Sequence, residues 1–207
     1  TGPADAALMH DDTSTDKRER ILEAVLAVLA RDGISGVTMR AVAREAEVAL
    51  GLATYYFEDK DGLVAAALER IADSDAALVE PTPGAEPGEA LRVALHRIAD
   101  PDFLSVPYLA LRLQLWSLAG VDERYAAINQ AAQRRYLTGL VALLAAARPD
   151  LSPGEVERRA NDILIVQNGV WLTSVLVPDP DTVARSVART EAIAFDDGPD
   201  SAAARPA

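Results

Sequence analysis

The sequence predicts an all-α chain of about nine helices. Three observations carry that prediction. Apolar residues recur three and four positions apart, no segment alternates convincingly at period two, and the apolar runs open at capping residues and stop at glycine or proline. The first helix starts at Asp16, with Glu19 three residues on as the return half of a capping box, and Ile21, Leu22, Val25, Val28 and Leu29 form its apolar stripe. Gly33 ends it, because glycine tolerates the positive φ that closes a helix. Thr38 caps a short second helix, "MRAVAREA", whose Val42 and Ala46 face inward. A third begins after the turn "EVA" and runs to about Phe57. Helices this short are stable only when packed on one another, so the three form one small unit.

Asp59 caps a long fourth helix through Leu63, Ala67, Leu68 and Ile71 towards Val79, with Asp61 favourably placed in its first turn. The Pro/Gly stretch "EPTPGAEPGE" (80–89) is a connector, after which Leu91, Leu95 and Ile98 mark a fifth helix; His96 on that helix is expected in the core. Further helices are predicted at about 105–119, 122–147, 153–177 and 180–195, with Ser152, Pro153 and Glu155 as a strong start for the third of these. The stretch "ILIVQNGVWLTSVLV" (163–177) is apolar nearly all round. It is shorter than the roughly 20 residues a bilayer needs and is broken by Gln167, Asn168, Thr173 and Ser174, so burial in a core and a subunit interface is expected instead of a membrane.

The formal net charge of −12 would discourage nucleic-acid binding if it were evenly spread. It is not. Residues 16–60 hold seven basic and eight acidic side chains, whereas residues 1–15 carry −3 and residues 61–207 carry −8. Charges separated by more than about 8–10 Å are largely screened at physiological salt, so the near-neutral segment can meet DNA while the remainder repels it. The chain has no cysteine, which excludes disulfides and thiolate chemistry. The first fifteen residues do not resemble a signal peptide, and a cytoplasmic location is expected. Residues 1–15 and 197–207 are expected to be disordered tails.

The segment "GVTMRAVAREAEVALGLATYYFEDKDGL" (36–63), preceded by a helix ending at Gly33, resembles the DNA-binding domain of the TetR family of regulators. The likeness covers residues 17–63. In the second half, "SLAGVDERYAAINQAAQRRYLTGLVALL" and "NGVWLTSVL" resemble the choline-responsive BetI branch. The resemblance implies a helix-turn-helix domain at 16–60, followed by a helical ligand-binding and dimerisation domain at 61–196. It implies that Thr38 gives its hydroxyl to a phosphate, that Arg40 enters the major groove, and that Leu50, Gly51, Leu52 and Thr54 face the bases. Tyr55, Tyr56 and Lys60 would face phosphates, and Lys17 and Arg18 would reach the backbone from the first helix. Three residues depart from the pattern: Glu47 replaces the turn glycine and must adopt positive φ, Ala49 replaces a capping Ser or Thr, and Thr54 stands at a tyrosine position.

In the second half, Tyr108, Arg112 and Trp116 lie at i, i+4 and i+8 on one helix, and Gln167 and Trp171 at i, i+4 on another. They read either as core aromatics with satisfied polar tips or as an effector pocket, apolar with a few orienting groups. Val170, Leu172, Val183, Ala184, Val187 and Ala188 are expected to form a dimer interface between two-fold mates. Two distant histidines, no phosphate-binding glycine loop and no metal-ligand spacing argue against an enzyme, a cofactor or a metal. The expected partners are a double-stranded DNA operator, a small-molecule effector and a second copy of the chain. The expected function is a homodimeric repressor released by that effector; the alternative is a dimeric small-molecule- or protein-binding module that has lost operator binding.

Overall fold

A computed structural model describes residues 3–196, with side chains from residue 15 onward. Nine helices form among these residues: α1 (Pro3–Gly36), α2 (Met39–Glu45), α3 (Leu50–Phe57), α4 (Lys60–Leu78), α5 (Pro87–Arg97), α6 (Val106–Ala119), α7 (Glu123–Ala147), α8 (Pro153–Leu176) and α9 (Pro180–Phe195). No strand occurs among the described residues.

The start of α1 differs from the expectation. Helical backbone runs back to Pro3 through the segment expected as a tail, so Asp16 lies within the helix and does not cap it. Nothing after Pro3 in "PADAALMHDDTSTD" breaks a helix, and proline is well suited to a first turn. The other expected tail, 197–207, lies outside the described residues. Gly33 interrupts α1 at φ 68, the positive φ expected of it.

The described chain forms two compact units. One comprises the chain to Ile71 together with Ala110–Asn129, and thus gathers α1, α2, α3, most of α4, most of α6 and the start of α7. Its core holds Ile21, Val25, Leu29, Val42, Phe57 and Leu63. The other comprises Ala72–Leu109 and the chain from Gln130, with Leu91, Leu95, Leu140, Leu144 and Ile163 at its centre.

In the second unit α9 packs on α8 and α5. Arginines satisfy the carbonyls that a helix leaves open at its C-terminal end. Arg159 donates to the carbonyls of Ile193 (2.9 Å) and Asp196 (2.8 Å), and Arg148 to that of Phe195 (2.9 Å), at the end of α9. Arg97 does the same beyond α4, donating to Ala77 (3.1 Å) and Glu80 (2.6 Å). His96 is exposed and not in the core; it pairs with Glu191 of α9 at 3.0 Å.

Candidate nucleic-acid interface

The helix-turn-helix is built by local rules. Thr38 precedes α2 in an extended conformation, and its Oγ1 accepts the Ala41 N–H at 3.1 Å, so its own hydroxyl proton stays available to a phosphate. Val42, Ala43 and Ala46 turn inward, which leaves Arg40 outward and exposed. The turn then closes with the Val48 N–H on the Ala43 carbonyl at 2.9 Å, and Glu47 takes φ 54, the left-handed conformation its position demands. Ala49 precedes α3 with no side-chain cap, as its chemistry requires.

On α3, Ala53 and Phe57 face the core while Leu50 is 41% and Tyr55 78% exposed. Gly51 and Thr54 are exposed, and Leu52 and Tyr56 are half-buried. The Thr54 hydroxyl donates back to the Leu50 carbonyl at 3.1 Å, so towards a base it offers its lone pairs. Tyr55 meets Tyr56 edge to face with ring centroids 5.2 Å apart. The end of α3 is held by a tight turn: Glu58 takes φ 60 and ψ −63, and the Asp59 N–H reaches the Phe57 carbonyl at 2.6 Å. Asp59 caps α4 by accepting the Gly62 N–H at 2.8 Å, and any side chain at Gly62 would overlap the Phe57 carbonyl.

Lys17 and Arg18 are exposed on α1, with the Arg18 guanidinium 5.3 Å from the centre of the Phe57 ring. Lys60 is half-buried, and its ammonium donates to the Ile34 carbonyl at 2.9 Å. One of its three donors is therefore committed to the fold, which the sequence reading did not foresee. Arg20 was also missed: it donates to the Ala46 carbonyl at 2.7 Å and fixes the end of α2 to α1.

The residues expected at an effector site fall in both units. Arg112 and Trp116 belong to the first, where the buried Arg112 guanidinium lies 5.3 Å from the Trp116 ring centre. Two positions along α6, Gln114 donates to the Leu29 carbonyl of α1 at 3.3 Å. Tyr108, Gln167 and Trp171 belong to the second. Tyr108 donates to the buried Asp75 at 2.8 Å with Phe103 edge-on to its ring. Gln167 is fully buried and accepts from the Tyr136 hydroxyl at 2.6 Å, while its Nε2 has no hydrogen-bond partner among the described residues. Tyr136 and Asp75 were missed. Tyr136 shares the apolar face of α7 with Leu140, Leu143 and Leu144, and a phenol on such a face needs a partner.

Of the residues expected at a dimer interface, Leu172, Ala184 and Ala188 are exposed and Val183 half-buried, but Val170 and Val187 are buried inside the subunit. Besides the expected Leu172, the exposed large apolar residues of α8 are Ile165 and Leu176. Val183 and Ala184 line a surface groove of about 410 Å³ with Leu104 and Val106.

Residues 21–67 match the family model described as bacterial regulatory proteins, tetR family, and residues 87–194 match that of the BetI-type transcriptional repressor C-terminal domain. The chain belongs to the TetR family. It is a DNA-binding transcriptional regulator and not an enzyme, and its C-terminal region is of the BetI type. Among its TetR relatives is the HTH-type transcriptional regulator BetI of Burkholderia thailandensis, 28% identical over 81% of this chain and 87% of that protein. A TetR transcription regulator from Haloarcula marismortui shares the fold with a TM-score of 0.72 at 20% identity, over 87% of this chain and 97% of that one. The multidrug binding protein EbrR, crystallised with ethidium, aligns with a TM-score of 0.61 at 26% identity, over 86% and 99%. No helix among the described residues is long and apolar enough to cross a membrane.

Proposed function

We propose that this TetR-family chain is a homodimeric repressor that acts in the cytoplasm, binds a palindromic operator through α3 and is released by a small-molecule effector. Residues 16–60 are the DNA-binding part and residues 61–196 the ligand-binding and dimerisation part. The observation that carries the DNA-binding assignment is the division of α3 into two faces. Ala53 and Phe57 are buried, whereas Tyr55 and Leu50 stand exposed on a helix of eight residues. An aromatic and a leucine held out in this way fit a surface that a phosphate backbone and thymine methyl groups cover. Arg40 on α2 is the polar base reader, because a guanidinium makes two hydrogen bonds to the edge of guanine.

Release by an effector draws support from the interior of the second unit. Buried polar groups there, Gln167 with an unused amide donor and the Tyr108–Asp75 pair, lie among apolar and aromatic residues, the composition of a ligand pocket. EbrR, a structural neighbour crystallised with ethidium, lends support to a small-molecule ligand for this chain. Ligand binding shifts the population away from dimers whose recognition helices are about 34–36 Å apart. Gln114, on the same helix as Arg112 and Trp116, touches α1 and offers a path for that shift.

The second reading, a dimeric binding module without an operator, draws on Glu47 and Ala49. Each costs on the order of 1 kcal/mol. The turn and α3 form with both in place, which favours the operator-binding reading. The test is anisotropy titration of the full chain against duplexes selected from a random library. The wild type should prefer a palindrome, and Arg40→Ala should lose about 1–3 kcal/mol and relax the preference at one guanine per half-site. Failure of the wild type to bind any duplex at low salt would favour the second reading.

A further inference from the structure

We propose that Arg44 is a second DNA-contacting arginine of α2, gripping an operator phosphate one helical turn beyond Arg40. The inference rests on the operator-binding reading above and extends it to a residue that the helix-turn-helix pattern did not point to.

The chain has eighteen arginines, and all but Arg205 have described side chains. Thirteen of those seventeen are occupied. In the first unit Arg20 is bound to the Ala46 carbonyl, Arg31 to Asp32 and Glu45, Arg70 to Glu19 and Arg124 to Asp61. Arg18 packs over Phe57 and Arg112 over Trp116. Only Arg40, Arg44, Arg134 and Arg189 have side chains with no hydrogen bond, ion pair or ring contact among the described residues. In a chain with 32 acidic residues, two such guanidiniums on one seven-residue helix are a local exception.

Their placement gives the exception a purpose. Arg40 and Arg44 are four residues apart, so they share one face of α2, opposite the buried Val42, Ala43 and Ala46. Both are exposed. The carboxylate next to Arg44, Glu45, is drawn away by Arg31 at 3.1 Å, so it does not neutralise its neighbour. The first helix of a helix-turn-helix crosses the DNA backbone, and its outer face meets phosphate oxygens. A guanidinium offers a planar fork of donors matched to those oxygens.

The competing account is structural: Arg44 lies in the last turn of α2, where a cation favours the exposed carbonyls. The two accounts differ in what they change. A phosphate contact releases counterions, whereas an interaction within the helix does not.

The experiment uses the full chain and two duplexes, the strongest recovered from a random library and an unselected random sequence, titrated from 50 to 200 mM salt. Arg44→Ala should weaken both duplexes by the same factor and reduce the slope of log affinity against log salt by about 0.9 per subunit. Arg44→Lys should keep the slope, and Arg134→Ala, which removes an exposed unpaired cation of α7, should leave both affinity and slope unchanged. The melting temperature without DNA should be the same for all four proteins. An unchanged slope for Arg44→Ala overturns the proposal, as does a loss confined to the selected duplex, which would mark a base contact. If the wild type binds neither duplex at 50 mM salt, the operator-binding reading fails and takes this inference with it; a wild type that binds while Arg44→Ala matches it leaves that reading intact and removes only Arg44.

Discussion

The ammonium of Lys60, the first residue of α4, donates to the carbonyl of Ile34, 26 residues earlier, at 2.9 Å. This contact ties the chain just beyond the Gly33 break in α1 to the start of α4. A lysine that resembles the phosphate contact of its family is thus also a structural tie.

Lys60→Ala should therefore show two losses. Urea denaturation should give a protein less stable by about 1–3 kcal/mol, the usual range for a hydrogen bond to a charged group whose loss leaves a part-buried acceptor open. DNA binding should weaken on every sequence with a smaller salt slope, through the remaining donors. Unchanged stability would mean that the tie contributes nothing.

The buried pair Tyr136 and Gln167 gives an asymmetric prediction. Tyr136→Phe strands the Gln167 oxygen without its donor at 2.6 Å and should cost about 1–3 kcal/mol in chemical denaturation. Gln167→Met takes this acceptor from the Tyr136 hydroxyl but also removes the buried Nε2 that has no partner among the described residues, so its net cost should be smaller. If the amide serves an effector, Gln167→Met should also blunt release from DNA while leaving DNA affinity intact. The reverse order of stabilities would contradict the assignment.

Much of this was legible in the sequence because caps and turns are local. Thr38, Asp59 and Ser152 start their helices through their own side chains, and Glu47 takes positive φ where the motif places a glycine. The partner of Lys60 was not legible, because a carbonyl 26 residues away leaves no periodic trace. The inward face of Val170 was hidden for another reason. The segment 163–177 is apolar nearly all round, so its sequence does not say which residues meet the subunit's own core and which remain for a partner. His96 shows the opposite error: its helix suggested burial, but it lies off the buried stripe of Leu91, Ala94 and Leu95 and meets Glu191 at the surface.

Acid should weaken the second unit through Glu155. Hydrogen bonds from Arg158 and then Arg159 hold its carboxyl at about 2, against an ordinary value of 4.5. Between these values the unfolded chain binds the proton and the folded chain does not, so stability rises with pH there. The contribution is complete above about pH 4.5 and disappears as pH falls towards 2. Melting temperatures of wild type and Glu155→Gln should differ at pH 7 and converge over that interval. A constant gap would show that the pair with the buried Arg159 is not what Glu155 contributes.

The last prediction concerns how two subunits meet. Ile165, Leu172 and Leu176 are 69%, 44% and 68% exposed, and their spacing of seven and four residues puts them on one stripe of α8. Small residues on α9, Ala184 and Ala188, are exposed as well and would let a partner helix approach closely. If this stripe is the two-fold interface, Leu172→Asp places a carboxylate in it from each subunit, and an unpaired buried charge costs more than the lost leucine contact. Sedimentation at micromolar concentration should then give a wild-type dimer and a Leu172→Asp monomer with an unchanged helical spectrum. Val121→Asp, at a valine beyond α6 that is 81% exposed, should remain dimeric. The monomer should also bind a palindrome far more weakly than the dimer, because one recognition helix reads one half-site and the second must be held about 34–36 Å away to read the other. A Leu172→Asp protein that stays dimeric would move the interface off α8, and a monomer with undiminished operator affinity would show that dimerisation is not what pairs the two recognition helices.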